Sequence, residues 1–196
     1  MFVQGSKDTA VITRTLTQNY CEEIVDSGFS EIGFHQQQDK TWVVVAKPFN
    51  APAPGDAARI SARALELVNA ARARSRKCGN TTFPAVPPLR LDPLLHQAAL
   101  AHAQDMAKHS RFDHVGSDGS RPAQRATRAG YRWRNVGENI AAGAPTIEDA
   151  VQGWLESPGH CTNIMSPQFK EMGVAYVSAP KSKADIYWAQ VFGTKR

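Results

Sequence analysis

Three side chains that can bind a metal ion or transfer protons, His114, Glu138 and His160, lie in glycine-rich segments without helical or strand periodicity. His114 lies in RFDHVGSDG (111–119), Glu138 in VGENIAAGAPT (136–146), and His160 directly follows Ser-Pro-Gly. Loops of this kind often carry functional groups. Two imidazoles and a carboxylate can hold a divalent metal with open positions or perform acid–base chemistry. Because no i, i+4 pair forces them together, the alternative is that they only tie the loops together by hydrogen bonds.

The cysteines at 21, 78 and 161 also allow two interpretations. Cys161 follows His160, and a thiol beside an imidazole suggests a nucleophile. Neighbouring residues in an extended segment point in opposite directions, however, so His160 is poorly placed to activate Cys161. We therefore favour a Cys78–Cys161 disulfide, worth about 4 to 5 kcal/mol in the chain-entropy model and typical of an oxidising compartment. Cys21 is then left over.

The other histidines have structural interpretations. His102 lies on the apolar face of a predicted helix, where a hydrogen-bonded core histidine is expected. His96 and His109 lie on the same helix and are predicted to face solvent, whereas His35 belongs to a separate N-terminal region.

Apolar residues at helical spacing, with capping residues at the helix starts, predict four helices that position these groups. The first has an apolar stripe from Ile60 and ends before Cys78, and the others are 94–110, 121–129 and a helix that begins after Thr146. Strand composition follows at 171–178 and 186–193, with a hairpin loop at 179–185 between them. Helices followed by a hairpin predict an α+β fold with helices packed on a sheet.

Composition divides the chain into a small N-terminal appendage (1–49), a linker rich in proline and glycine (50–57) and a main domain (58–196). The appendage has few large apolar side chains and makes a marginal independent fold. Its predicted elements are a helix at 15–25 and strands at 30–36 and 40–49.

The composition excludes some classes of protein. The net charge of +5 is mild and names no partner. The first helix carries arginines that are expected to form a solvated face, and no nucleic-acid motif accompanies them, so no nucleic-acid partner is expected. These arginines are Arg59, Arg63, Arg72, Arg74 and Arg76. No apolar run reaches about 18 residues, so no transmembrane segment is expected. The first residues lack the layout of a secretory signal, which indicates either a cytosolic chain or a signal removed before this numbering begins.

Four motifs occur in an order that resembles a known family. They are FDHVGSDG (112–119), VGENIAAG (136–143), GWLESPGHCTNIMSPQFKEMGVAY (153–176) and YWAQVFG (187–193). Over about residues 58 to 194, the chain closely resembles the bacterial branch of the CAP superfamily, which contains cysteine-rich secretory proteins, antigen 5 and plant pathogenesis-related proteins. The resemblance implies an α–β–α sandwich, secretion or a periplasmic location, and a cleft lined by two histidines and two acidic residues.

Carried over by motif, the cleft histidines are His114 and His160, and the first acid is Glu138. The position of the second acid falls at Ser157, with Glu156 one residue before it, and one step along a helix turns a side chain by about 100°. The resemblance further implies a divalent metal such as zinc, and for some members sterols or other lipids.

These observations lead to one expected function with two alternatives. The leading expectation is ligand binding in the cleft, with a divalent metal held by His114 and His160. The first alternative is a metal-assisted hydrolase in which Glu138 is the general base. The second is a lipid- or sterol-binding or purely structural extracellular protein. The partner would be a small molecule, a lipid or another protein.

Overall fold

The structure is a computed structural model that describes residues 1–25, 28–46 and 52–196. The chain forms two compact units, Met1–Asn50 and Ala51–Arg196. Among the described residues, no helix has the length and apolar character needed to cross a bilayer.

The first unit is a three-stranded antiparallel sheet with two helices. Its elements are β1 (Phe2–Gln4), α1 (Thr9–Asn19), α2 (Cys21–Val25), β2 (Glu31–Gln37) and β3 (Lys40–Ala46). The strand order is β1–β3–β2, and the small core consists of Val3, Leu16 and Val43. Both predicted strands are present, although residues 47–49 of the second lie outside the described part of the chain.

The helix predicted over 15–25 differs from the structure in its bounds. It begins earlier, because the Asp8 carboxylate accepts hydrogen bonds from the backbone N–H groups of Ala10 and Val11 at the start of α1. It is also divided, because the backbone leaves the helical conformation at Tyr20 (φ −137°).

The second unit contains a four-stranded mixed sheet, a two-stranded ribbon and five α-helices among its described residues, with a short 3-10 helix at Pro54–Asp56 before the first of them. In chain order its elements are α3 (Ala57–Arg72), β4 (Arg76–Cys78), β5 (Thr81–Phe83), β6 (Arg90–Leu91), α4 (Pro93–His109), α5 (Pro122–Arg128), β7 (Trp133–Ala142), α6 (Ile147–Glu156), α7 (Pro158–Met165), β8 (Glu171–Ala179) and β9 (Asp185–Lys195). The main sheet has the order β6–β8–β9–β7, and β4 pairs with β5.

Helices cover both faces of the main sheet. Tyr187 and Val191 of β9 pack with α4 and α5, whereas Ile186 and Trp188 pack with α3, α6 and α7. Side chains of a strand alternate between the two faces of its sheet, so β9 contributes to two cores. At Gly173 of β8, a Cβ atom would lie 2.1 Å from a backbone nitrogen of α4. The absence of a side chain at Gly173 therefore allows α4 to pack closely against β8. The predicted α+β class and the α–β–α sandwich are confirmed.

Two segments predicted to be irregular are regular elements. The stretch around Glu138 forms part of β7, which pairs with β9 from Trp133 to Ala142. Gly137 serves this strand by leaving room for a ring, because a Cβ atom there would lie 2.6 Å from Phe169. The Ser-Pro-Gly stretch ends one helix but also starts α7, with Pro158 at a first-turn position that needs no backbone N–H.

Arg72 corrects the expectation of a solvated arginine face. It is fully buried at the end of α3, and burial lowers its pKa to about 10. Its guanidinium donates hydrogen bonds to the carbonyl oxygens of Pro87, Ile164 and Ser166, at 2.8, 2.5 and 3.0 Å. Arg72 therefore fastens the end of α7 to α3.

Candidate functional site

The three candidate side chains come together from three elements. His114 lies on the loop between α4 and α5, Glu138 on β7 and His160 on α7. The His114 Nδ1–H donates to Glu138 Oε1 at 2.9 Å, and the ring centroids of His114 and His160 are 6.4 Å apart. The His114 side chain is 49% exposed and that of Glu138 is 1% exposed. The histidines therefore border the solvent, and the carboxylate lies behind them.

Glu138 is enclosed by cationic and imidazole groups. Arg125, on α5, donates to Glu138 Oε2 at 2.7 Å, and its side chain is only 6% exposed. The same guanidinium donates to the carbonyl oxygens of His114 and Ser120, at 2.9 and 2.7 Å. The carboxylate thus has one oxygen on Arg125 and the other on His114. It acts as a buried link between α5 and the histidine loop.

His102 is the third imidazole of this cluster. It is fully buried, as predicted for a core histidine, and its Nε2–H donates to the carbonyl oxygen of Asp113 at 3.0 Å. The same Nε2 atom is 3.7 Å from Glu138 Oε1. Burial lowers the pKa of His102, and its Nδ1 atom has no hydrogen-bond partner within the described residues, so a neutral ring fits the site.

The two cleft histidines have opposite electrostatic environments. The hydrogen bond to Glu138 raises the pKa of His114, and partial burial opposes it less strongly. Burial lowers the pKa of His160, and the neighbouring His114 lowers it further. At neutral pH, His160 is therefore the ring with the greater tendency to be neutral and to present a free nitrogen lone pair.

His160 is held by the supports of α7. Cys161, next to it, is fully buried and forms a disulfide with Cys78, with the Cα atoms 5.5 Å apart. The predicted disulfide is confirmed, although His160 and Cys161 lie on a helix rather than on an extended segment. Asn139 of β7 donates to the His160 carbonyl oxygen at 3.3 Å, and Asn163 of α7 donates to the Glu138 carbonyl oxygen at 3.1 Å.

The two positions considered for the second acid lie beside α7. Glu156 ends α6 with an exposed side chain, and its carboxylate accepts a hydrogen bond from Gln152 at 2.5 Å. Ser157 is the partly buried residue between α6 and α7. Within the described ranges, no three His, Cys, Asp or Glu residues are grouped so that they could hold a metal. The cleft therefore offers two imidazoles at its surface rather than a closed ligand set.

Neither Arg125 nor the contact between His102 and Glu138 was expected from the sequence. Arg125 belongs to a segment with many arginines and has no distinguishing neighbour in sequence. The expectation that His96 faces solvent is also wrong, because it is partly buried and donates from Nδ1 to the Val174 carbonyl oxygen at 2.7 Å. His109 is exposed, as predicted.

The α–β–α sandwich of the second unit is the fold of an SCP or CAP domain. The Cysteine-rich secretory protein family matches residues 65–192, which is most of the second unit. The chain belongs to this family.

A relative from Bacillus subtilis, the protein YkwD, is 32% identical to the chain over 140 residues. This match covers 71% of the chain and 49% of YkwD, so the chain spans about half the length of this curated relative.

Two bacterial protein structures share the fold. An extracellular protein containing a SCP domain from Bacillus anthracis has a TM-score of 0.59 and 18% identity, with 98% of this chain and 72% of that one covered. An outer surface protein from Borrelia burgdorferi has a TM-score of 0.58 and 19% identity, with 74% of this chain and 96% of that one covered.

Proposed function

We propose that the cleft binds a divalent cation through His114 and His160, and that the cation provides a binding point for an oxygen-containing or anionic ligand. The observation that carries this proposal is the hydrogen bond from His114 Nδ1 to the buried Glu138. A carboxylate on one ring nitrogen fixes the tautomer and the orientation of a metal-binding histidine and makes the other nitrogen a better ligand. His160, with its lowered pKa, supplies the second imidazole in its neutral form.

The donor set fits a cation only as an open site. Imidazole nitrogens are good ligands for zinc and related divalent ions. Glu138 is not one of the proposed ligands, because both its oxygens are already engaged by Arg125 and His114. Two protein ligands leave the remaining coordination positions for water or for the bound molecule, which makes weak, exchangeable binding the expected behaviour.

We place this activity outside the cytoplasm. The Cys78–Cys161 disulfide is of the kind that persists in oxidising compartments. Similarity of fold to the extracellular Bacillus anthracis protein supports the same location.

Isothermal titration of zinc tests the proposal. We expect binding by the wild type and loss of binding in a His114→Ala/His160→Ala variant. The control is His35→Ala/His109→Ala, which removes two exposed imidazoles elsewhere and should bind like the wild type. Absence of zinc binding by the wild type across the whole titration, or equal loss in the control, would overturn the proposal.

The hydrolase alternative has less support from the geometry. A general base needs a free lone pair near the reacting proton. Both carboxylate oxygens of Glu138 accept hydrogen bonds from Arg125 and His114, and the side chain is 1% exposed. A panel of ester, peptide and phosphodiester substrates tests this alternative, and turnover that survives Glu138→Ala would exclude Glu138 as the base.

Lipid binding has a different basis, an apolar groove of about 340 Å³ between α3, α4 and β8. Ile60, Leu100, Val174 and Val177 line it. Displacement of a fluorescent fatty acid should report binding there, and Leu100→Gln should weaken it without altering zinc binding. A wild type that binds no fatty acid would remove this alternative.

A further inference from the structure

A second concave surface lies where the start of β7 meets the end of β9. This surface, here called the Trp133 groove, has a volume of about 940 Å³ and is lined mainly by Thr127, Tyr131, Arg132, Trp133, Lys195 and Arg196. None of the cleft residues lines it. The volume is at the upper end of the range for small-ligand sites.

Trp133 is a fixed aromatic platform in this groove. Its indole N–H donates to Thr127 Oγ1 at 2.9 Å, which sets the orientation of the ring. Trp133 is paired with Lys195 across β7 and β9, and paired residues project from the same face of a sheet. The side chain is partly exposed, and it also borders a smaller groove of about 300 Å³ beside Arg128. Its ring is therefore reachable from more than one side.

Among the cationic side chains of the groove, one is neutralised by carboxylates and two form no ion pair within the described residues. Lys195 is paired with Asp92 at 2.8 Å and with Glu171 at 3.5 Å, and so the acids of this region are already engaged. Arg132 and Arg196 are exposed, and neither forms an ion pair within the described residues. Arg196 is held beside the platform, because its Nε–H donates to the Trp133 carbonyl oxygen at 3.0 Å.

Trp133 lines this groove together with two arginines that form no ion pair within the described residues, and this combination favours a particular chemistry. A guanidinium binds carboxylates and sulfates through paired hydrogen bonds. The face of an indole is apolar and electron-rich, and the C–H face of a sugar ring packs against it. Single-stranded nucleic acids are bound by several aromatic rings on which successive bases stack. In this groove the second aromatic lining residue, Tyr131, is only 1% exposed, so Trp133 is the aromatic surface that a ligand can reach among the described lining residues.

We propose that the Trp133 groove binds an acidic glycan, a sugar chain that carries carboxylates or sulfates. One sugar ring packs on Trp133, and the acidic groups of that ring and its neighbours bind Arg132 and Arg196. This site is separate from the histidine cleft and does not depend on a metal.

Fluorescence anisotropy with a labelled oligogalacturonate in low-salt buffer tests the proposal. The methyl-esterified oligomer, which keeps the sugar backbone and lacks the charge, is the matched ligand control. We expect binding of the acidic oligomer alone. Trp133→Ala should weaken binding by about 3- to 10-fold and Trp133→Phe by less, because the phenyl ring retains part of the platform.

The charge contribution is measured with two double variants. Arg132→Gln/Arg196→Gln should weaken binding about 10-fold, as expected for the loss of two charge-assisted contacts. Arg74→Gln/Lys77→Gln removes the same charge from exposed positions elsewhere in the same unit and should change binding less than about 2-fold.

Three outcomes would overturn the proposal. Equal weakening by both double variants would show attraction by net charge alone. If Trp133→Ala bound the acidic oligomer as tightly as the wild type, at an unchanged melting temperature, Trp133 would not be the surface on which the sugar ring packs. Tighter binding of a labelled oligothymidylate than of the acidic glycan would assign the groove to nucleic acid instead.

Discussion

His160 lies on a helix that is fastened by a disulfide and a buried arginine, whereas His114 lies on a loop that is fastened by charged and polar contacts. The support of α7 consists of the Cys78–Cys161 bond and the Arg72 hydrogen bonds to helix-end carbonyls. The support of the His114 loop is the Arg125–Glu138 pair, with Asp105 of α4 accepting from the Ser117 N–H at 2.8 Å.

One cleft is thus built from two kinds of stabilisation. The α7 support uses a covalent bond and hydrogen bonds to neutral carbonyls, so protonation of acids should affect it little. The loop support depends on a carboxylate that is 1% exposed and needs its charged partner. Variants and pH should therefore affect the two histidines differently.

Removal of the disulfide should have the largest effect. Cys78→Ala/Cys161→Ala releases a link between residues separated by 83 positions, and we expect a loss of about 4 to 5 kcal/mol in the free energy of unfolding. Urea denaturation measures this loss. Cys21→Ala is the matched control, because Cys21 is a free, exposed thiol, and it should leave the second unit unchanged. A loss below about 1 kcal/mol in the double variant would show that the remaining contacts hold α7 by themselves.

Removal of the buried cation should rank next. Arg125→Met leaves Glu138 charged and uncompensated, and breaking a buried ion pair in this way costs about 3 to 5 kcal/mol. Urea denaturation again measures the effect. Arg128→Met, in the next turn of the segment, breaks only an exposed pair with Asp118 and should have a much smaller effect.

A double variant separates the charge effect from packing. Arg125→Met/Glu138→Gln removes the uncompensated charge and should recover part of the stability lost in Arg125→Met. No recovery would mean that Arg125 acts through its contacts with the His114 and Ser120 carbonyl oxygens rather than through the carboxylate.

The pH dependence of stability should distinguish the two histidines in metal-free protein. The pKa of His114 is raised in the folded state, so its stabilisation is present below pH about 6.5 and is lost as pH rises through the folded-state pKa. The pKa values of His160 and His102 are lowered, so stability is lost as pH falls below about 6.5. Stability should therefore decline on both sides of this pH.

Thermal unfolding at pH values below and above about 6.5, with a chelator present, measures the loss of stability on each side of this pH. The two sides are called the acid limb and the alkaline limb. His114→Gln should flatten the alkaline limb, and His160→Gln should reduce the acid limb. These effects should be smaller than those of Arg125→Met, because both rings are partly solvated. If His114→Gln changed only the acid limb, the assignment of the Glu138 hydrogen bond to a raised pKa would be wrong.

The sequence predicts the α7 support better than the support of the His114 loop. The disulfide was predictable, because cysteines are few and adjacency to His160 argued against a catalytic thiol. Glycine-rich motifs single out His114, Glu138 and His160, but the sequence left open whether they meet, because no spacing forces them together. The helical state of α7 was not predictable, since proline after serine signals both a helix end and a helix start.

The charged support could not be predicted from the sequence. Arg125 is one of several arginines between 121 and 134, and its burial is decided by Glu138 on a strand that joins it only in the folded chain. Arg72 was expected in solvent for the same reason, because a helix arginine is assigned to the surface unless the carbonyl groups that it meets are known. His102 was placed correctly in the core, but its neighbour Glu138 was not foreseen.

The smallest expected effect is that of Glu156→Gln, which tests whether the α7 side of the cleft contributes an acid. Glu156 is exposed and engaged with Gln152, so the substitution should change the free energy of unfolding by no more than about 0.5 kcal/mol. Zinc affinity should change less than about 2-fold, because both proposed ligands are imidazoles. Ser157→Ala is the matched control for the neighbouring position.

A large loss of zinc binding in Glu156→Gln alone would mean that this carboxylate reaches the cation in solution. The two sides of the cleft would then both depend on a carboxylate, and the contrast between a covalently held histidine and an electrostatically held one would no longer describe the site.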